Sequence, residues 1–328
     1  MNSAHRMAEG VARSGGGLRR LLQIAFTVAA VVLIARLVDL RETKRILASA
    51  QVSLVALAIA MYLVGQLMSA FRWWLFGRSV GLGGLFIDYA RFYFIGMFFM
   101  SFGPSTLGGD FVRGLYLAEG GGRRARAFNS VVFDRLNGLV ILVSIGAAAF
   151  LIFPQYRTLA PEFALMFWIT VAFGSALLVG WMLAPWLVRL LLPPDHKIRR
   201  FVEVDLGPFW TDRRMLMAAS TVSFFFHLVQ IAAQWVVSRA VGIKVPLSYI
   251  GVFHPLVSAI ASIPVSFSGI GLREGGYLYF LTKFGIDQPR AVAYGVLWLL
   301  VIVANSLIGG LVFLASGTRL PALRDAAS

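Results

Sequence analysis

The sequence predicts an all-α polytopic membrane protein with about six full transmembrane helices and two Pro/Gly-broken re-entrant hairpins in an inverted repeat. Composition, the length of the apolar runs and a repeated break motif lead to this fold class. The 328 residues are 59% hydrophobic and 14% charged, with a mean hydropathy of +0.78. These values are typical of chains whose solvent is lipid.

Apolar runs of roughly 20 residues are long enough for a helix to cross the hydrocarbon core. Six such spans are predicted, near residues 21–38, 52–71, 128–151, 163–187, 215–238 and 289–315. The first run follows four arginines, as in a signal peptide, but it is longer than a usual signal core and no cleavage site follows it. We therefore expect this run to be a retained span.

Two further apolar stretches, 86–117 and 248–282, are broken at the middle by Pro and Gly, so each fits two spans only if the halves are short. The breaks read GPSTLGGDFVRG and IPVSFSGIGLREGG, and they align without a gap. The alignment pairs Pro104 with Pro264, Gly109 with Gly269 and Arg113 with Arg273. Each motif has one span before it and one after it, which indicates an internal repeat.

The extra span near 163–187 separates the two units, so the second unit is expected to be inverted relative to the first if each hairpin enters and leaves on one side. Inverted repeats are typical of secondary transporters. We expect one transmembrane domain at 19–317, with repeats at about 51–151 and 215–315 and with cytoplasmic tails at 1–18 and 318–328.

Basic loop residues predict the orientation, because cytoplasmic loops carry excess Lys and Arg. Arginines of the N-terminal tail, of residues 123–126 and of residues 197–214 fall on one side. That side is expected to be the cytoplasm of a bacterium, with both termini inside and the protein in the inner membrane. Arg41, Lys44 and Arg45 fall on the other side, partly offset by Asp39 and Glu42.

Broken helices at membrane depth must face protein or a water-filled cavity, because lipid cannot satisfy their free backbone groups. A helix that restarts after a break presents free N–H groups to an anion, and arginines about a turn further on can fork onto phosphate oxygens. Around the breaks at Pro104 and Pro264, the candidate contacts to a lipid headgroup are Arg113, Arg273, Glu274, Asp110, Gly108, Gly109, Gly269, Gly271 and Ser266.

A structural interpretation of the same residues stays open. Arginines near helix ends often snorkel to the interface, and glycines in membrane helices often serve close packing. Glu274 is placed to neutralise Arg273, and Asp110 is placed to neutralise Arg113 three residues on.

Asp134 and Arg135 form a third cluster inside a predicted span, where ionisable residues are costly and usually face the bundle interior. They are either a structural pair or part of a pathway, and Asn137 favours a wet face. Arg72 is typical of an interfacial anchor, since two tryptophans follow it. Arg91 is similar, but its position before the first break also makes it a candidate for the cytoplasmic entrance.

Several function classes are not supported by the sequence. There is no cysteine, and the four histidines have no paired spacing, so we expect no metal site and no cofactor. His227 and His254 are expected to be hydrogen-bonded interior residues. No Walker, HExxH or Ser/His/Asp pattern is present, which favours a protein that is not an enzyme. The net charge of +15 lies in short loops, which favours contact with anionic lipid and not with nucleic acid.

The segments GPSTLGGDFVRG, VVFDRLNGL and IPVSFSGIGLREGG resemble those of the lysylphosphatidylglycerol synthase transmembrane-region family. The resemblance extends from about residue 20 to 315, although Asp134 stands where the family often has Glu. It implies a flippase-like membrane domain for aminoacylated phospholipids, polyprenyl-linked intermediates or a related lipid. We expect no synthase activity, since these 328 residues contain no counterpart of the aminoacyltransferase domain of the fused members.

The expected function is therefore transfer between leaflets of a lipid whose anionic headgroup binds between the two hairpins. The alternative is a non-transporting membrane partner that presents lipid to a glycosyltransferase or another lipid-modifying enzyme. An intramembrane phosphatase or transferase is the weakest interpretation, because no nucleophile and base pair is visible. The identity of the lipid and the oligomeric state stay open.

Overall fold

The computed structural model describes residues 39–102, 108–119, 124–263, 266 and 269–316, together with Val28, Val32, Leu33 and Arg36. Every regular element in these ranges is a helix. The predicted span at 21–38, the two tails, Pro104 and Pro264 lie outside the described residues, apart from the four isolated positions.

Twelve α-helices are described. They are α1 (Leu40–Ala48), α2 (Val52–Ser79), α3 (Phe86–Phe102), α4 (Gly108–Glu119), α5 (Arg124–Ile152), α6 (Pro161–Leu191), α7 (Lys197–Arg200), α8 (Gly207–Thr211), α9 (Arg213–Ala240), α10 (Leu247–Ala261), α11 (Leu272–Lys283) and α12 (Gln288–Ala315). Five of them, α2, α5, α6, α9 and α12, are long and apolar enough to cross a membrane. These five confirm five of the six predicted spans, and the chain is a multi-pass membrane protein.

The sequence marks where several helices begin. The Asp39, Asp212 and Asp287 carboxylates accept hydrogen bonds from backbone N–H groups in the first turns of α1, α9 and α12. Pro161 begins α6, where its missing N–H leaves no helical hydrogen bond unmade. These residues mark where the four helices begin.

The two broken stretches each form a pair of short helices. The first pair, α3 and α4, has 17 and 12 residues, and the second pair, α10 and α11, has 15 and 12. At about 1.5 Å per residue these helices are about 18–26 Å long, below the roughly 30 Å of a hydrocarbon core. The expectation of short halves is confirmed, although most residues that join the halves lie outside the described ranges.

Contacts between helices repeat when the first unit (α2 to α5) is exchanged with the second (α9 to α12). The most extensive contact joins α2 to α9, which exchange with each other. The contact of α3 with α12 corresponds to that of α10 with α5, and the contact of α4 with α5 corresponds to that of α11 with α12. The packing therefore supports the internal repeat, with α6 outside it and against α5.

The two ends of the bundle are distinguished by their contacts. Gln51, just before α2, donates its N–H to the carbonyl of Ala240 at the end of α9. Leu82, just after α2, packs instead in a cluster with Leu117 of α4 and Phe209 of α8. The first helix pair thus begins and finishes at the Leu82 end.

The second helix pair begins and finishes at the opposite end of the bundle. Tyr249 in the first turn of α10 donates its hydroxyl to the carbonyl of Phe280 in α11, and its ring contacts Phe284 just past that helix. Ser248, beside it, exchanges a hydrogen bond with Tyr156 in the connection between α5 and α6. The two pairs therefore enter the bundle from opposite ends.

A short helical connector follows α6. Glu203 accepts hydrogen bonds from Arg189 at 2.7 Å and from Arg199 at 3.3 Å. The Arg189 hydrogen bond holds the pKa of the Glu203 carboxyl below its usual range. The basic loop predicted between the fourth and fifth spans is thus folded against the end of α6.

Candidate functional site

A cavity of about 450 Å³, here called the central cavity, lies between the two helix pairs. Both pairs contribute to its wall, together with α2, α5 and α9. Its polar lining residues are Ser69, Arg72, Tyr93, Asp110, Arg113, Asp134, Arg135, His227, Ser262 and Ser266. The central cavity falls within the roughly 300–1,000 Å³ of small-molecule sites.

Asp134 of α5 is the anionic centre of the cavity wall. Its Oδ1 accepts from Nε of Arg72 at 2.7 Å, and its Oδ2 accepts from both terminal nitrogens of Arg113 at 3.2 Å. The Asp134 side chain is 1% exposed, and the Arg72 and Arg113 side chains are 5% and 4% exposed. Buried charges of this kind persist only when they are paired, and one carboxylate here pairs two guanidinium groups.

Asp110, in the first turn of α4, holds the third arginine. Arg135 donates to it from Nε at 2.9 Å and from Nη2 at 3.0 Å. Nε of Arg113 also lies 3.1 Å from Asp110 and forms an ion pair with it, but this N–H has no hydrogen-bond acceptor among the described residues. The Arg135 side chain is 50% exposed, so its guanidinium is the accessible cation of the cavity.

The charges of the central cavity do not cancel. Three arginines face two aspartates in its described wall. The residues of the two breaks that lie outside the described ranges, 103–107, 264–265 and 267–268, carry no charged side chain in the sequence. Arg113 is further fixed over the rings of Trp73 and Tyr93, at 5.0 and 5.3 Å from their centroids. The cavity wall thus has an excess of one positive charge.

A second cavity of about 250 Å³, here called the side cavity, adjoins the first. The two share six lining residues, among them Arg135, His227 and Ser262. The side cavity is also lined by Tyr62, Gln66, Gln230, His254, Ser258, Arg273, Trp298 and Ile302. Arg135 therefore lies in the wall of both cavities, and Arg273 lies only in that of the second.

Arg273 is placed differently from the expected position. It is the second residue of α11, whereas Arg113 is the sixth residue of α4, so only Arg113 lies a turn inside its helix. Arg273 donates to Glu274 at 3.2 Å, and the other Glu274 oxygen accepts from the N–H of Gly271 at 2.7 Å. The start of α11 is thus already occupied by a carboxylate of the same helix, and neither Glu274 nor Gly271 lines the central or the side cavity.

The candidate glycines have different roles. Gly109 packs directly on the carbonyl of Gly96 in α3, and a Cβ there would collide with that carbonyl. The Cβ side of Gly109 is therefore filled by α3, which gives this glycine a role in helix packing, and a contact of its backbone with phosphate stays a prediction. Gly269 lines the central cavity with a φ of 74°, where a side chain is strained, and a Cβ would also lie 2.9 Å from the Ala261 carbonyl.

Of the other predicted site residues, Ser266 lines the central cavity, whereas Gly108 and Arg91 do not. Ser266 is 1% exposed and lines the central cavity, and its hydroxyl has no hydrogen-bond partner among the described residues. Gly108 begins α4 outside the described cavity walls, and Arg91 is exposed on α3 away from them. A role for Arg91 at a cavity entrance therefore has no support in the packing.

Two interpretations of polar residues are wrong. Arg72 is no interfacial anchor: it is 4% exposed and also donates to Ser223 of α9 at 2.9 Å. Asn137 does not face a wet surface, because it is fully buried and donates to Ser220 at 2.9 Å.

The two buried histidines lie as expected. His227 contacts the carbonyl of Gly138 at 3.0 Å, and His254 contacts Ser258 at 3.3 Å. No group of three or more His, Asp and Glu side chains in the described ranges is arranged to hold a metal ion.

Gln230 was missed by the sequence analysis. It is 4% exposed in the wall of the side cavity. The available signal was the pair Gln230 and Gln234, four residues apart in an apolar run and thus on one helix face. Gln234 is hydrogen-bonded to Tyr277 and Tyr294, whereas neither polar atom of the Gln230 side chain has a hydrogen-bond partner among the described residues.

Comparison with known proteins finds a match that includes the three sequence segments around Arg113, Asp134 and Gly269. A family model described as the lysylphosphatidylglycerol synthase TM region matches residues 20–310. The chain belongs to this family. The matched lysylphosphatidylglycerol synthase TM region includes every described residue of both cavity walls.

A relative in Pyrococcus horikoshii is the UPF0104 membrane protein PH1989. It is 26% identical over 137 residues, and the match covers 41% of each chain. The chain thus spans less than half the length of this relative, which is itself described only as a membrane protein.

Proposed function

We propose that this protein is a lipid translocase of a bacterial inner membrane, and that it binds the anionic headgroup of its lipid in the central cavity. The observation that carries the proposal is the uncancelled positive charge of that cavity, with the half-exposed Arg135 at its junction with the side cavity. A guanidinium in a low-dielectric wall binds phosphate strongly, because it donates two parallel hydrogen bonds.

The topology that we propose has α3–α4 and α10–α11 as re-entrant hairpins from opposite membrane faces. Their lengths and the two distinct bundle ends support this arrangement. Both termini are then cytoplasmic, with the Leu82 end inside. A headgroup that enters beside one hairpin meets the other near the midplane, which is where transporters with inverted repeats hold their substrates.

Headgroup binding requires one exchange of partners. Arg135 is held by Asp110, and Asp110 also contacts Arg113. A phosphate that takes over Arg135 leaves Asp110 paired with Arg113 alone, so no carboxylate is left without a cation. The excess positive charge of the cavity wall is then matched by the phosphate, and no covalent bond is made or broken in this step.

The test is transbilayer exchange of labelled lipids in vesicles that contain the purified chain. We expect the wild type to exchange an anionic lipid, and Arg135→Ala to slow this exchange at least tenfold. Arg290→Ala is the matched control, because Arg290 is also 50% exposed and also pairs with an aspartate, but outside both cavities. Arg113→Ala and Arg273→Ala test the two helix pairs separately.

Equal exchange in the wild type and in the Arg135, Arg113 and Arg273 variants, for every lipid tried, would contradict the proposal. A wild type that exchanges no lipid but co-purifies in fixed ratio with a lipid-modifying enzyme would favour the presenting role instead.

A further inference from the structure

Gln230 of α9 is a buried amide whose hydrogen-bonding capacity is unused. It is 4% exposed, and neither its Oε1 nor its Nε2 has a hydrogen-bond partner among the residues that the structure describes. It lines the side cavity, and Gly65 of α2 leaves the room for its amide, since a Cβ there would lie 2.8 Å from Nε2. Buried polar groups are rarely left unpaired, so this amide indicates a ligand with both a donor and an acceptor.

The remaining wall of the side cavity is polar but contains no carboxylate among its described residues. Hydroxyl, amide and imidazole groups come from Tyr62, Gln66, His254, Ser258 and Ser262. The rings of Tyr62 and Trp298 meet edge to face at 5.5 Å and form an apolar part of the wall. Such a mixture suits a group with hydroxyls on an apolar carbon frame.

A cationic headgroup finds no partner in either cavity. Asp134 pairs with two arginines, Asp110 pairs with two arginines, and Glu274 holds Arg273 and a backbone N–H. An ammonium group would therefore meet guanidinium groups and would lack a free carboxylate. Like charges brought together in a low-dielectric site oppose binding.

We propose that the side cavity binds an uncharged, hydroxyl-rich unit, a sugar or a polyol, joined through the phosphate that Arg135 holds, and that it disfavours aminoacylated headgroups. The inference rests on the proposed function and names its class of substrate. The volume of about 250 Å³ lies below the range of drug-sized sites and fits one such unit.

The test is lipid binding to the full chain in detergent, followed by native mass spectrometry. The probes are phosphatidic acid, which has a bare phosphate, and lysylphosphatidylglycerol, which is cationic. Phosphatidylinositol and a hexose-linked polyprenyl phosphate carry hydroxyl-rich units on different lipids and show which source is accepted. We expect at least one of these two to bind about tenfold more tightly than phosphatidic acid, the gain from two added hydrogen bonds. Lysylphosphatidylglycerol should bind no more tightly than phosphatidic acid.

Gln230→Leu is expected to remove the tenfold preference and to leave the binding of phosphatidic acid unchanged. Gly65→Ala gives a second variant, in which the amide is kept but displaced. Gln155→Leu, at an exposed position, is the control. Lysylphosphatidylglycerol binding as tight as that of phosphatidylinositol and the hexose-linked lipid would overturn the inference. A preference that both cavity variants retain would overturn it as well.

Failure of the proposed function has a different signature. Phosphatidic acid that binds Arg135→Ala as tightly as the wild type contradicts phosphate recognition in the central cavity. The preference for hydroxyl-rich units is the ratio of the affinity for phosphatidylinositol or the hexose-linked lipid to the affinity for phosphatidic acid. This ratio is measured in the wild type, independently of the Arg135→Ala result.

Discussion

At the scale of single residues, Asp134 is the most constrained group of the site. Its carboxylate accepts hydrogen bonds from Arg72 of α2 and from Arg113 of α4. These two ion pairs connect the long helix α2 and the short helix α4 to α5. Arg135, the next residue, points its half-exposed side chain into both cavities. The adjacent residues Asp134 and Arg135 do not pair with each other: Asp134 holds two buried arginines, and Arg135 pairs with Asp110. A role of Arg135 in a pathway stays a prediction.

Asp134→Asn should strongly destabilise the protein. The amide cannot balance two buried guanidinium groups, and loss of one partner of a buried ion pair costs about 3–5 kcal/mol. The thermal unfolding midpoint of the purified chain in detergent should fall accordingly. Asp205→Asn is the control, because Asp205 is exposed and forms no ion pair with a residue that the structure describes. Surface changes of this kind stay within about 0.5 kcal/mol. Equal midpoints for the two variants would contradict the pairing.

The sequence singled out three of the charged residues that line the central cavity, but not all of their ion-pair partners. Arg113, Asp134 and Arg135 were identifiable because ionisable residues inside apolar runs are costly. The partner of Arg72 was not identifiable, because Asp134 is 62 positions away and meets it only through the packing of α2 against α5. Nearby tryptophans favoured an anchor for Arg72, and only the three-dimensional contact distinguishes the two cases.

At the scale of helices, the first pair is held together by a crossing of glycines. Gly109 of α4 lies on the backbone of Gly96 of α3, and neither position has room for a side chain. Close approach of this kind is the main source of helix association in lipid, where the hydrophobic effect between helices is absent. Arg113 lies one turn further along α4 and pairs there with Asp134 of α5.

Gly109→Ala should therefore separate α3 from α4. The added methyl group collides with the Gly96 carbonyl, and overpacking of this kind costs about 1–3 kcal/mol. We expect a lower unfolding midpoint in detergent and loss of lipid exchange. Gly180→Ala in α6 is the matched control, since a Cβ there meets nothing within 4 Å and alanine is the better helix former. A Gly109 variant as stable as the Gly180 variant would contradict the crossing.

The sequence located these short helices but placed the second restart wrongly. Pro and Gly in apolar stretches were sufficient to predict two broken pairs. However, α11 begins four residues later than the alignment of the motifs implies, at Leu272. Gly269 and Gly271 have φ values of 74° and 88°, so the chain turns there before it becomes helical. The aligned motifs do not reveal that these glycines adopt left-handed backbone angles. Because the turn delays the start of α11, Arg273 lies at the helix start.

At the scale of the whole molecule, the repeat that three matched residues suggested extends to the packing. Every extensive contact among the helices of one unit, or between the units, has a counterpart under exchange of α2–α5 with α9–α12. The central and side cavities lie between the units, because both units contribute lining residues to each cavity. A site at such a boundary changes its accessibility when one unit rocks against the other.

The inverted topology has a direct test, because the chain contains no cysteine and single cysteines can be labelled without background. Gly83, between α2 and α3, and Lys244, between α9 and α10, are exposed and occupy corresponding positions of the two units. We expect a membrane-impermeant maleimide to label Lys244→Cys on intact cells and Gly83→Cys only after permeabilisation.

Thr158→Cys and Asp205→Cys calibrate the two sides, since Thr158 is exposed in the connection before α6 and Asp205 is exposed in the basic connector. Labelling of Gly83→Cys and Lys244→Cys from the same side would mean that both hairpins enter from one face. This result would contradict the proposed passage of a headgroup between two opposed hairpins. Labelling from opposite sides would mean that the two hairpins enter from opposite faces, as the proposed transfer of a headgroup between leaflets requires.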